Sequence, residues 1–204
     1  MIAQSMITMT LALCSLTTFC LAQGENPIKT EDKTAMTAKT NPRVTFETTK
    51  GSFTVELYSD KAPATVANFL QYAKDGFYEG TIFHRVIPGF MVQGGGFSVD
   101  FKQKPARAPI KIESQSGLSN TRGTIAMART MDPNSATAQF FINVVDNRAL
   151  DYVAASQPGY AVFGKVVDGM NVIDDIVKVK TVRNGGHENV PLDPIEIESV
   201  SVKE

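Results

Sequence analysis

Short runs of β-branched and aromatic residues, each ended by glycine, proline or an Asx-rich turn, set the tightest limit on how this chain folds. Val44 to Thr48 and Ser52 to Leu57 alternate apolar and polar residues on either side of Lys50-Gly51, the pattern of a β-hairpin. Thr81 to Ile87, Gly123 to Ala128, Ala138 to Val145, Tyr160 to Val167 and Ile195 to Val202 read as further strands, and Lys111 to Ser114 as a short one. Phe101 to Pro109 is a Lys/Pro-rich loop, and Asp132-Pro133-Asn134-Ser135 is a turn. Two segments carry a helical period. Ala62 to Asp75 places Val66, Phe69, Leu70 and Ala73 on one face and stops at Gly76; Gly169 to Val177 has Met170, Val172, Ile173 and Ile176 as its apolar positions. Many short strands with two helices predict a mainly β fold built as an antiparallel barrel.

The stretch Phe83 to Gly96, FHRVIPGFMVQGGG, stands out within this pattern. A β-branched strand is broken by Pro88-Gly89, an extended apolar run resumes at Phe90-Met91-Val92, and three glycines end it. Arg85 is embedded among aromatics and a methionine, with Gln93 a few residues on. A cation in such surroundings suggests a shallow apolar pocket with a fixed N–H donor at its edge. That pocket suits a small apolar ring attached to an amide, and proline is the expected ring.

The remaining features bound the function. The 204-residue chain has a formal charge of -1, which gives no support to a nucleic-acid partner. Residues 1–22 contain no charged side chain and end in Cys20-Leu21-Ala22, so they read as a cleaved secretory signal. An uncleaved membrane anchor is the alternative, weakened by the Ser and Thr content and by the lack of basic flanking residues. Residues 23–42 are polar without apolar period and read as a disordered tether, leaving residues 43–204 as one domain. Both cysteines, Cys14 and Cys20, fall in the leader, so the body has no disulfide framework or thiol chemistry and suits an oxidising compartment. His84 and His187 lack any paired ligand spacing, so no metal is expected. Gly159 to Lys165 fits the start of a phosphate-binding loop, but Val166 stands where Ser or Thr is needed. No cofactor is expected.

FHRVIPGFMVQGGG, GTIAMAR, QFFINV and GYAVFGKVVDGM together resemble the cyclophilin family of peptidyl-prolyl cis-trans isomerases, most of all its bacterial exported branch. The resemblance covers roughly Arg43 to Val202. It implies a closed eight-stranded antiparallel barrel capped by two helices, with the active site on the outer face. It implies Arg85 as the catalytic arginine and Phe90, Met91, Phe141 and Leu150 as walls of a proline pocket. Gln93 is then the glutamine that binds substrate backbone. Ala128 and Arg129 match the strand edge that pairs with the substrate, with Gln139 beside them, and Tyr160 stands where many eukaryotic members carry His. The chain departs from the pattern at Ala149, where relatives carry a rim aromatic that helps to grip the macrocycle cyclosporin. It departs also at Ala138, in place of a common Ser, and at Arg129, in place of a common Asn.

The expected activity is cis-trans isomerisation of X-Pro bonds in unfolded or partly folded exported chains. The protein is expected to be monomeric and periplasmic, without stable membrane association once the leader is removed. Secretion or anchoring by an uncleaved leader is the alternative location. A proline-recognising chaperone or binding module with incidental or no turnover is the alternative function; Arg85 favours the enzyme, since binding alone does not require it.

Overall fold

The computed structural model describes residues 41–204. The expected leader, and the expected tether up to residue 40, lie outside the described residues. The last two residues assigned to that tether belong instead to the folded body. The Pro42 carbonyl accepts the Leu57 amide at 2.8 Å, and Asn41 Nδ2 donates to Glu56 Oε1 at 3.3 Å. Without an apolar period, the two residues gave no sequence signal of these contacts.

The expected hairpin forms β1 (Arg43–Thr48) and β2 (Gly51–Leu57), paired so that Phe46 lies opposite Phe53. After helix α1 (Pro63–Lys74) come β3 (Thr81–Ile82), β4 (Arg85–Ile87) and β5 (Met91–Gly94). Next are β6 (Thr124–Met127), β7 (Phe140–Asn143), a 3-10 turn at Arg148–Leu150 and β8 (Val162–Asp168). Helix α2 (Met170–Val177) is followed by β9 (Thr181–Asn184), β10 (His187–Pro191) and β11 (Glu196–Lys203).

Nine strands form one antiparallel sheet in the order β3-β11-β1-β2-β8-β6-β7-β5-β4, while β9 and β10 pair separately. The two edges of the large sheet, β3 and β4, are halves of one chain run interrupted only by Phe83-His84. Counting that run once gives eight strands curled into a barrel, with the interrupted strand as its seam. The expected strand Lys111–Ser114 does not form. Its polar groups are used otherwise: the Ile112 amide donates to Asn134 Oδ1, and the Glu113 carboxylate accepts the Ala64 and Thr65 amides at the start of α1. That carboxylate satisfies donors that the first turn of a helix leaves unpaired.

Alternate residues of each strand face the barrel interior. Phe46 stacks on Phe53 with centroids 4.8 Å apart, and Phe140 meets Phe46 at 5.6 Å. α1 delivers Phe69 into this cluster, 4.9 Å from Phe163 and 5.1 Å from Tyr78. Tyr78 is fully buried, and its hydroxyl donates to the Ala138 carbonyl at 3.0 Å, so no polar group is stranded there. α2 packs on β2, β4 and β5 and buries Val172, Ile173 and Ile176.

Candidate active site

The same strands build a second, smaller apolar cluster on their outward face. Val92, Ile125, Phe140, Ile142 and Phe163 point inward; their neighbours Met91, Ala126, Phe141 and Val162 point outward and pack together. Phe90, Leu150 and Tyr160 lie half-buried against this floor. The result is an open cavity of about 120 Å³ lined by Arg85, Phe90, Met91, Gln93, Ala128, Arg129, Phe141, Leu150 and Tyr160. Every residue the sequence singled out is therefore on this cavity's wall except Gln139, which sits one hydrogen bond behind it. Gln93 Nε2 donates to Gln139 Oε1 at 3.0 Å.

Arg85 and Gln93 face each other across the β4–β5 pair. Arg85 Nη1 donates to Gln93 Oε1 over a long 3.4 Å, and among the described residues the guanidinium forms no ion pair. Arg43, Arg107, Arg122 and Arg183 each meet a carboxylate. Arg85 is thus half-buried, oriented by an amide, and left with most of its donors uncommitted. The glycines after Gln93 permit the tight packing behind it: a Cβ on Gly96 would lie 2.4 Å from Gln139 Cγ.

Arg129 is placed otherwise than its strand-edge assignment alone suggests. Its side chain folds back, with Nε and Nη2 donating to the Gly159 carbonyl at 3.0 and 2.9 Å, and its guanidinium lies 4.5 Å from the Tyr160 ring centroid. Tyr160 in turn meets Phe141 edge-on at 5.5 Å. Arg129 therefore braces an aromatic wall through a cation–π contact. Its backbone amide donates to nothing among the described residues, while the Ala128 amide is used by the Gln139 carbonyl at 2.9 Å. The opening is local to Arg129, because the next amide, that of Thr130, donates to Ser135 Oγ at 2.9 Å.

Sequence reasoning missed the groups that hold the far wall. Buried Asn143 donates to Thr124 Oγ1 at 2.9 Å and accepts from Asn147 Nδ2 at 2.8 Å; Asn147 Nδ2 also reaches the Phe90 carbonyl at 2.8 Å. Asn120 Nδ2 donates to the Leu150 carbonyl and to the Asp151 carboxylate. Partial burial opposes ionisation of Asp151. The Asn120 amide, the Ser119 hydroxyl and the Asn120 side chain outweigh it and hold the carboxyl below its ordinary value. This network fixes Phe90 and Leu150, and its only sequence signal was a scatter of Asn around the apolar runs.

His84, beside Arg85, is buried, and its Nδ1 finds no partner among the described residues. Burial, and then the charge of His187, lower its pKa to about 4, against a smaller opposing effect of a hydrogen bond with the Ile82 backbone. It is neutral at physiological pH. Among the described residues no three His, Cys, Asp or Glu side chains gather as a metal-holding group.

An eight-stranded barrel with an arginine-edged apolar cavity on its outer face defines a cyclophilin-like protein. The sequence profile of the family described as "Cyclophilin type peptidyl-prolyl cis-trans isomerase/CLD" matches residues 43–202. The chain is 57% identical over 163 residues to peptidyl-prolyl cis-trans isomerase B of Escherichia coli K12, covering 79% of this chain and 99% of that one. It is 54% identical to a peptidyl-prolyl cis-trans isomerase of Acinetobacter baylyi, covering 81% and 88%. A solved Cryptosporidium parvum cyclophilin, crystallised in the presence of the dipeptide Ala-Pro, superposes with a TM-score of 0.66 at 27% identity over 79% of this chain and 99% of that one. The chain belongs to the cyclophilin-type peptidyl-prolyl cis-trans isomerases, and it is an enzyme of that class.

Proposed function

We propose that this isomerase acts on X-Pro bonds of exported, unfolded or partly folded chains and lowers the rotation barrier without any covalent step. Resonance holds the amide planar behind a barrier of about 18–20 kcal/mol. In the twisted form the prolyl nitrogen recovers a lone pair, and a donor aimed at it competes with resonance. Arg85 supplies that donor: its guanidinium stays charged and holds its N–H groups in a rigid fork. Gln93, tied to Gln139, orients the fork and contacts the substrate backbone. Phe90, Met91, Phe141, Leu150 and Tyr160 hold the proline ring while the preceding carbonyl turns. These walls also exclude water, which strengthens the electrostatic contact. The strand edge at Ala128 and Arg129, where the Arg129 amide has no partner among the described residues, receives the backbone that precedes the proline. A cavity with room for one small ring, together with a relative solved in the presence of Ala-Pro, supports proline as the occupant.

The observation that carries this reading is the uncommitted guanidinium of Arg85 at the cavity edge. The test is a protease-coupled isomerisation assay on an X-Pro peptide, with peptide affinity measured in parallel. Arg85→Ala lowers kcat/KM by about 100- to 1000-fold, the loss seen when a transition-state donor is removed, and weakens binding far less. Equal losses in affinity and turnover would reduce Arg85 to a binding residue. Export rests on the apolar leader and on a body free of cysteine. Periplasmic location follows if the protein recovered from the cell envelope begins near Gln23; intact Met1 on that protein would contradict it.

A further inference from the structure

A second cleft of about 390 Å³ opens beside the proline cavity and shares Arg85 and Gln93 with it. It lies between the seam of the barrel and the tip of the β9–β10 hairpin, whose β10 packs alongside β4. One wall is aromatic: Phe97 contacts His84 at 4.7 Å and His187 at 5.3 Å, and Phe101 meets His187 at 5.6 Å. The outer lip carries Glu188, already paired with Arg183. The hairpin turns through Gly185 and Gly186, both at positive φ, and a Cβ at either would meet nothing within 4 Å. The tip therefore leaves the mouth of the cleft open.

We propose that this cleft is a specificity subsite for an aromatic side chain at the position following the isomerised proline. The proposal rests on the isomerase reading above. The cleft includes neither Ala128 nor Arg129, the edge assigned to the residues before the proline; Gln139 borders it from behind Gln93, and Arg85 stands between it and the proline cavity. A chain leaving the ring past Arg85 enters it directly. Aromatic pairs gain from edge-to-face and offset contacts beyond their buried area, and the exposed ring of His187 and the half-buried ring of Phe97 offer both. Among the described residues that line it, Arg85 is the one fixed cation at its inner end, and the proposed reaction uses it. The lip carboxylate is neutralised by Arg183, so the site has little to hold a charged side chain.

The experiment measures kcat/KM for two tetrapeptides, Ala-Ala-Pro-Phe and Ala-Ala-Pro-Ala, and for a second pair with Phe or Ala immediately before the proline. The unmodified protein is expected to favour Phe over Ala after the proline by roughly three- to tenfold, the range an aromatic contact supplies. His187→Ala, an exposed change at the hairpin tip, brings that ratio close to one and leaves the ratio for the preceding position as it was. Phe97→Leu, which keeps apolar volume but removes the ring, reduces the same ratio. Equal turnover of the first pair by the unmodified protein overturns the subsite, as does a ratio that survives both substitutions. So does a preference that shifts at the preceding position instead. Failure to turn over any of the four peptides would strike at the isomerase reading rather than at the subsite.

Discussion

The inward and outward faces of β5, β6, β7 and β8 are built from adjacent residues yet packed to different ends. Inside, Phe140 and Phe163 close against Phe46 and Phe69, and the space is filled. Outside, Phe141, Met91 and Val162 form an apolar floor that stops short of closure and leaves a cavity the size of one ring. Filling lowers the free energy of the fold; leaving a gap forgoes contacts there and holds them for a ligand. One sheet therefore separates stability from function by strand alternation alone.

The largest effect expected from this contrast separates two neighbouring rings. Phe140→Ala opens a void in a filled interior and should cost about 3–5 kcal/mol in urea denaturation. Phe141→Ala borders an existing cavity and should cost clearly less, while its peptide turnover falls more than stability can explain. Equal destabilisation by the two substitutions would erase the distinction between the faces.

His84 sits on the seam between those faces, with Phe83 turned to the core and Arg85 to the cavity. Its pKa in the folded protein is about 4, below the ordinary value of 6.5. Between these values the unfolded chain binds the extra proton, so stability rises with pH across the window. The contribution is complete above about pH 6.5 and is lost as pH falls toward 4, by at most about 3 kcal/mol. Burial is the main cause, and His187 and Arg85 add repulsion of the charged form. Denaturation midpoints at pH 7 and pH 4.5 for the unmodified protein and for His84→Asn check this; the variant should show the shallower dependence. Turnover, by contrast, should be nearly flat from about pH 6 to 8, because Arg stays protonated throughout.

The parts of this architecture that could be read in advance were those written in local periodicity. Alternation gave the β1–β2 hairpin, and the spacing of Val66, Phe69 and Ala73 gave α1. At the candidate site, the residues alone pointed to a pocket only in the stretch from Arg85 to Gln93; Ala128, Arg129, Gln139, Phe141, Leu150 and Tyr160 were named through the family resemblance of the longer motifs. β9 and β10 went unread since Val182 and Val190 are nearly the only apolar residues in Thr181 to Val190, even though Gly185-Gly186 is a turn signal. Thr81 to Ile87 read as one strand and is two, because the run changes partner where the barrel closes: the Phe83 amide still donates to the Ile195 carbonyl at 2.9 Å, while Arg85 already pairs with Gln93. The fold-back of Arg129 onto Gly159 and Tyr160 depends on a loop many residues downstream. No local rule reports it.

A smaller effect should separate charge from geometry at the outer face. Arg85→Lys keeps the charge but loses the planar fork that Gln93 orients. A charge-assisted hydrogen bond contributes about 1.5–3 kcal/mol, so kcat/KM should drop roughly 10- to 100-fold. The denaturation midpoint should hardly move, as expected for a half-buried side chain outside the filled interior. Full activity in the lysine variant would mean that any cation at that edge suffices.

The smallest effect concerns the rim, where the outer face meets solvent. Ala149 is exposed on the 3-10 turn before Leu150 and lines a shallow groove with Arg129, Met131 and Tyr160. The family resemblance implies an aromatic at this position that helps to grip cyclosporin, a ligand far larger than the proline ring. A buried indole covers about 150–250 Å² and adds an N–H donor, several kcal/mol at roughly 25 cal/mol per Å² as an upper bound. Ordering and desolvation leave much less, and about 1.4 kcal/mol is already tenfold. The unmodified protein should therefore bind cyclosporin weakly. Ala149→Trp should tighten it at least about tenfold while changing peptide kcat/KM only modestly, since the proline ring rests on Phe90, Met91 and Phe141. Parallel inhibitor titrations of the two proteins decide the matter. Equal affinity would place the grip on the floor of the cavity, and the rim would then have no separate part in recognition.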